Sequence, residues 1–215
     1  MEYYRRHWFY IGGILFAGLA FFMGFWETHL SQIQIILVYS FMAMLVYQIE
    51  EYVYPGGFPP IANSAMFKEK DALDRYPLNA NQCLISNVFL TYPFYIIPIF
   101  FPNIIWLGVG VVGLGLFQIV AHCVLENILL KRFYNPGCTT SVFLFLPLGI
   151  YYIWYVNTNH LASTTDFVVG SAITLAAVVV LFLLPIILLK NKNSKYPFTE
   201  IEMTGLTKLI KNNRL

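Results

Sequence analysis

The residues of this chain able to do chemistry are few and sit in a mostly apolar sequence. Glu50 and Glu51 are adjacent, and Gln118, His122 and Glu126 recur at intervals of four. On a helix that interval puts all three on one face. Carboxylates beside an imidazole support proton transfer. Close together and out of water, two carboxylates hold one proton more readily than two charges, so an acid and a base coexist at neutral pH. Glu50, Glu51, His122 and Glu126 are therefore the candidate catalytic residues. His122 and Glu126 are also the candidate ligands of a divalent metal, a reading weakened by the single histidine available on that face. Tyr47, Asn87, Asn127 and Asn135 are the candidate substrate-binding groups. Two plainer readings stand beside these. Glu50-Glu51 can mark a helix end in solvent, and His122/Glu126 can be a clamp between helices.

The elements that must hold these groups are membrane helices. With 58% apolar and 11% charged residues, the chain is unlike a soluble domain, where about a quarter of residues are charged. Five stretches, 7–26, 28–49, 76–125, 133–165 and 167–189, lack Asp, Glu, Lys and Arg. A crossing helix needs about 20 apolar residues, so the third stretch holds two crossings and the total is six. The expected spans are 8–26, 30–49, 83–100, 104–130, 140–157 and 167–189. Pro93, Pro98, Pro147 and Pro185 lie inside them, as membrane helices tolerate. Gly108, Gly110, Gly113 and Gly115 suit close helix packing. A turn is expected at Tyr54–Pro60, and a short surface helix capped by Asn63 or Ser64 before Pro77.

The 13 Lys and Arg residues then fall on one side only: two before the first span, three between the second and third, two between the fourth and fifth, and six in the tail. The opposite loops carry Glu27 and Asp166 and no basic residue. By the positive-inside rule both termini are cytoplasmic, in the cell membrane. The expected class is all-α: one bundle of six transmembrane helices over 1–195 and a basic cytoplasmic tail over 196–215. Met203, Leu206, Leu209 and Ile210 allow an interfacial helix in that tail, but a frayed, solvated segment is favoured. Tyr151, Tyr152 and Trp154 read as an interfacial aromatic belt. Cys83, Cys123 and Cys138 lie within or near the reducing side and are expected as free thiols.

The ordered set Tyr47-Gln48-Ile49-Glu50-Glu51-Tyr52, Pro55-Gly56-Gly57-Phe58-Pro59, Tyr76-Pro77-Leu78, Asn87, Asn127, Tyr134-Asn135-Pro136-Gly137, Thr139 or Thr140 and Pro147–Tyr152 resembles the HXXEE family, over about residues 40–155. These are small bacterial polytopic membrane proteins, so the resemblance implies a bacterial inner membrane. The histidine that names the family is Tyr47 here, and both glutamates remain. The resemblance carries no established reaction. It implies that Glu50, Glu51, Asn87, Asn127 and the Asn135-Pro136-Gly137 turn form one cytoplasmic-side cluster.

Three functions fit. The first is an intramembrane enzyme acting on a lipid-like or apolar small molecule, with Glu50 and Glu51 as acid and base, His122 and Glu126 as relay, and Asn87 and Asn127 orienting substrate. The second is a small-molecule or proton-coupled transporter, opposed by the lack of ionisable residues in the far half of every span. The third is a non-catalytic binding or structural membrane protein. Membrane lipids are the expected partners. Nucleic acid is not, because the basic tail is short and beside a membrane. No phosphate-binding glycine loop, nucleophile elbow or His-Glu-x-x-His motif is present.

Overall fold

A computed structural model describes residues 1–211, with side chains through Gly205. The expected contributions of Leu206, Lys208, Leu209, Ile210, Lys211 and Arg214 lie outside the described side chains. Among the described residues there is no strand, and six helices are long and apolar enough to cross a membrane. They are α1 (Glu2–Trp26), α2 (Gln32–Tyr52), α4 (Ala80–Phe100), α5 (Ile105–Leu130), α6 (Cys138–Thr158) and α7 (Thr164–Leu189). Two short helices join them: α3 (Phe58–Ala65) and α8 (Glu200–Lys211).

The most hydrophobic helix is not the core. In α7 the mean hydropathy reaches 3.0, yet only 17% of that stretch is buried, whereas the corresponding stretch of α2 is 67% buried. Apolar surface turned outward suits a helix solvated by lipid, where association rests on close packing and not on hydrophobic burial. The central helix α2 therefore carries Ile36, Leu37 and Leu45 into the main core, against Tyr95, Val111, Leu114 and Tyr152.

Glycines set the closest helix approaches. A β-carbon on Gly110 would lie 2.6 Å from Ile173 of α7, and Gly113 and Gly170 face Thr174 and Val109 across the same seam. Gly108 makes room for the Tyr152 ring, whose hydroxyl donates to the Ile105 carbonyl at 3.1 Å. Tyr152 is thus wholly buried, and only its neighbours Tyr151 and Trp154 are exposed as a belt would be.

Four helices contain wide turns in which N–H groups reach back five residues: Ile85–Leu90 in α4, Ile119–Glu126 in α5, Ser141–Phe145 in α6 and Val178–Leu183 in α7. Three are followed within three residues by Pro93, Pro147 or Pro185. Proline lacks the N–H that would close the preceding turn, so the ladder changes register there. In α4 the Thr91 hydroxyl takes up the Ser86 carbonyl at 2.8 Å.

The surface helix differs from the expected one. It begins at Phe58, because Gly57 turns the chain at φ 84° and Pro59 and Pro60 fit a first turn that needs no N–H donors. Asn63 is buried inside it and staples the following loop, donating to the Leu73 and Leu78 carbonyls and accepting from the Leu78 N–H. The loop is further held by Glu69, which accepts from the N–H groups of Lys70, Asp71 and Ala72 and from Lys192 at 3.3 Å. Those donors, the Asp71 N–H foremost and Lys192 next, hold its carboxyl down at about 2.

The tail also differs. Residues 196–205 pack on the bundle as a strap. Tyr196 accepts from the Ala80 N–H, Pro197 from Arg6 at 2.7 Å, and Asp74 from the Phe198 N–H at 2.6 Å, while Phe198 is buried. Arg6 also faces Glu202 at 3.6 Å, and Gly205 lies on Gly56 and Gly57. A single buried aromatic and backbone partners far away in sequence leave no periodic signal, so the sequence favours a frayed segment, whereas the backbone over Glu200–Lys211 is the helix that the apolar spacing from Met203 allows.

Candidate functional site

The buried polar groups converge at the basic end of the bundle. Tyr47 and Glu51, one turn apart on α2, are joined by a 2.6 Å hydrogen bond. The Tyr47 hydroxyl also lies 2.6 Å from His122 Nε2 on α5, which is 3.5 Å from Glu51 Oε1. On the other edge of the ring, His122 Nδ1 is 3.0 Å from Asn135 Oδ1 and 3.0 Å from Glu126 Oε2.

The orientation of Asn135 sets the role of one ring nitrogen. Its amide nitrogen donates to the His122 backbone carbonyl at 2.5 Å and to Asn127 Oδ1 at 2.8 Å, so its oxygen faces the imidazole. Nδ1 must therefore carry a proton. At Nε2 two arrangements satisfy every group. Either Tyr47 donates to an ionised Glu51 and accepts from Nε2–H, or a protonated Glu51 donates to Tyr47, which donates to bare Nε2. They differ by shifting two protons along Glu51–Tyr47–His122. A phenol can serve because it donates and accepts at one atom. Gly137 completes the support: its φ is 104°, and a β-carbon there would lie 2.7 Å from His122 Nδ1.

Glu50, next in sequence to Glu51, does something else. Successive helical residues point about 100° apart. Glu50 Oε1 accepts from the Tyr134 hydroxyl (2.9 Å) and Thr139 N–H (3.0 Å), and Oε2 from the Thr140 N–H (2.8 Å) and hydroxyl (2.5 Å). Burial first, and the Glu50 carboxylate second, push the Tyr134 phenol up, so it stays a donor. Both oxygens of Glu50 are thus spent on the first turn of α6, where helical N–H groups have no partners of their own. A free acid or base it is not.

Glu51, Tyr47, His122 and Glu126 line a cavity of about 230 Å³ between α2, α3, α4, α5 and α7. Three of its walls are the wide turns of α4, α5 and α7. Its lining is mostly apolar, with the Phe58 ring tilted against the imidazole at 5.0 Å between ring centres. At the rim, Met66, Phe67, Leu125 and Leu183 are exposed on the flank of the bundle. Glu51 Oε2 and Glu126 Oε1 have no protein hydrogen bond among the described residues, so each carboxylate keeps one oxygen in reserve.

Of the sequence-derived binding groups, Tyr47 and Asn87 line the cavity, whereas Asn127 and Asn135 do not. Asn87 donates to Tyr52 (3.0 Å) and accepts from Gln48 (3.3 Å), so it braces α2 against α4. Asn127 donates to the Cys123 and Phe133 carbonyls and holds the 131–137 turn. Tyr134 and Thr140 donate to Glu50, Tyr52 accepts from Asn87 and Ser86 from Gln82, though nothing in their spacing singled them out as site residues. The thiols are free, and those of Cys123 and Cys138 lie 2.7 Å apart.

A metal held by His122 and Glu126 does not fit this donor set. Nδ1 is protonated, and Glu51 and Glu126 address opposite edges of the ring, so the donors do not converge. Among the described residues no group of three or more His, Cys, Asp or Glu side chains is placed to hold one.

The family described as "Protein of unknown function with HXXEE motif" matches the chain over residues 36–152, which contain every member of the proton path. No curated protein and no solved structure matches the chain.

Proposed function

The chain belongs to this family with the HXXEE motif, and from that premise we propose that it is an intramembrane enzyme performing acid–base chemistry on a lipid-like or apolar small molecule. One observation carries the reading: a buried Glu51–Tyr47–His122–Glu126 path, able to shift protons internally, forms the polar wall of an otherwise apolar cavity. Exposed Leu125 and Leu183 at the rim support access sideways from lipid. Tyr47 stands where the family motif has histidine and, like a neutral imidazole, both donates and accepts. Glu51 and Glu126 are the groups that exchange a proton with substrate, and Glu50 anchors α6. The distribution of the 13 basic residues supports a multi-pass membrane protein with both termini cytoplasmic, and the bacterial inner membrane is what the family resemblance implies. A transport path is disfavoured, because beyond Gln118 the glycine seam brings α5 and α7 together.

The test uses the whole protein in vesicles of bacterial lipid extract, incubated in heavy water. Acid–base turnover of a membrane component incorporates deuterium into one lipid-soluble species, read by mass spectrometry. Glu51→Gln abolishes the incorporation. Identical lipid profiles for the wild type and the variant would sink the enzyme reading.

A further inference from the structure

One polar side chain of the cavity takes no part in the proton path. Gln118 is 7% exposed, lines the cavity, and makes no hydrogen bond to protein among the described residues. The other lining polar groups are engaged: Gln82 donates to Ser86 at 2.8 Å, and Asn87 is bonded to Tyr52 and Gln48. A buried primary amide without a partner is costly, and such groups are nearly always satisfied. No amide atom of Gln118 is sealed off without a partner, so its polar edge meets the cavity space.

Its depth limits what can satisfy it. Gln118 lies one helical turn, about 6 Å along α5, beyond His122 from the basic end. The neighbouring turn of α5 and the facing α7 offer the lining residues Phe117, Ala121, Val178 and Phe182, and the ionisable lining residues Tyr47, Glu51, His122 and Glu126 are committed to the proton path. A charged headgroup there would have no counter-charge. An uncharged carbonyl or hydroxyl would have a matched partner, since the amide both donates and accepts.

We infer that Gln118 binds an uncharged carbonyl or hydroxyl oxygen of the substrate, which is therefore an oxygenated apolar chain and not a plain hydrocarbon or a charged headgroup. The inference rests on the cavity reading above and names its substrate class. The amide anchors the oxygen deep in the bundle and leaves the rest of the chain running past the proton path toward the rim.

The test compares three probes of equal heavy-atom number: nonane, octanol and methyl hexyl ketone. Each is added to the full-length protein in detergent at the same mole fraction in the micelle, and thermal unfolding is followed. All three raise the wild-type midpoint, and octanol and the ketone bind about tenfold more tightly than nonane. Gln118→Leu, close in volume, still binds nonane and loses that preference; Gln118→Met serves if the leucine variant does not fold. Equal binding of all three by the wild type, or an unchanged preference in the variant, overturns the role of Gln118, including the case where its amide holds only water. Failure of every probe to bind overturns the apolar cavity itself, and with it the proposed function.

Discussion

The two ends of the α5–α7 contact are made by the same pair of helices and serve opposite purposes. Toward the far end Gly110, Gly113 and Gly170 let the backbones close on one another. Toward the basic end the glycines stop, both helices widen into five-residue turns at Ile119–Glu126 and Val178–Leu183, and the gap becomes the cavity. Close approach requires residues without side chains. A cavity requires the helices to be held apart, and a wide turn does so while swinging side chains inward. A rigid seam thus supports a functional opening, and Gln118, His122 and Glu126 of α5 lie at the open end.

If the open end carries the chemistry, the largest effects come from its proton path. Glu51→Gln should lower turnover by roughly 10²- to 10⁴-fold, the usual contribution of a positioned acid or base, with little change in unfolding midpoint. Tyr47→Phe should act in the same direction, while Tyr47→His, which restores the family histidine, should retain most activity. Equal activity in Tyr47→Phe would show that the relay does not pass through that residue. Glu50→Ala should do the reverse of Glu51→Gln and act on stability. It strips the buried Thr140 N–H, and the less buried Thr139 N–H, of their acceptor, at about 1–3 kcal/mol for the buried group, and chemical unfolding in detergent reads the loss.

At the closed end, Gly113→Leu forces a side chain into Thr174 and should cost about 1–3 kcal/mol of unfolding free energy as overpacking. An unchanged stability would mean that the seam is looser than its glycines indicate. The smallest expected effect lies outside both regions, in the loop held by Glu69. Its folded carboxyl is depressed to about 2, against about 4.3 for a free glutamate. The stabilisation is therefore complete above the free value and disappears as pH falls through the folded one. NMR titration of Glu69 should show the low midpoint, and Lys192→Met should raise it.

Much of this was legible in the residues. Runs without charge correspond to the six long apolar helices, because backbone groups in lipid must bond within their own helix and side chains there must be apolar. The four-residue spacing of Gln118, His122 and Glu126 put all three on the cavity wall, since residues four apart stay near one face both in an α-helix and in the wide turn at Ile119–Glu126. The motif resemblance about residues 40–155 agrees with the family match over 36–152. Other features were hidden for physical reasons. Glu50 and Glu51 are chemically identical neighbours, and only the elements facing them distinguish anchor from proton carrier. Asn135 read as a substrate group because its true partner, the His122 backbone, is brought to it by a turn 13 residues away. Phe198, a lone aromatic in a charged tail, gave no periodic hint of its burial.

The amino-acid sequence alone determined the helices, the clustering of basic charge at one end, and the stripe of polar residues on α5. Those depend on local composition and on the 3.6-residue repeat of the helix. Tertiary structure decided which carboxylate is free, which nitrogen of His122 carries a proton, and where the helices part to leave room for a ligand. Those outcomes depend on distances between residues far apart in the chain, and a hydrogen bond or a cavity exists only when such residues arrive at the same place.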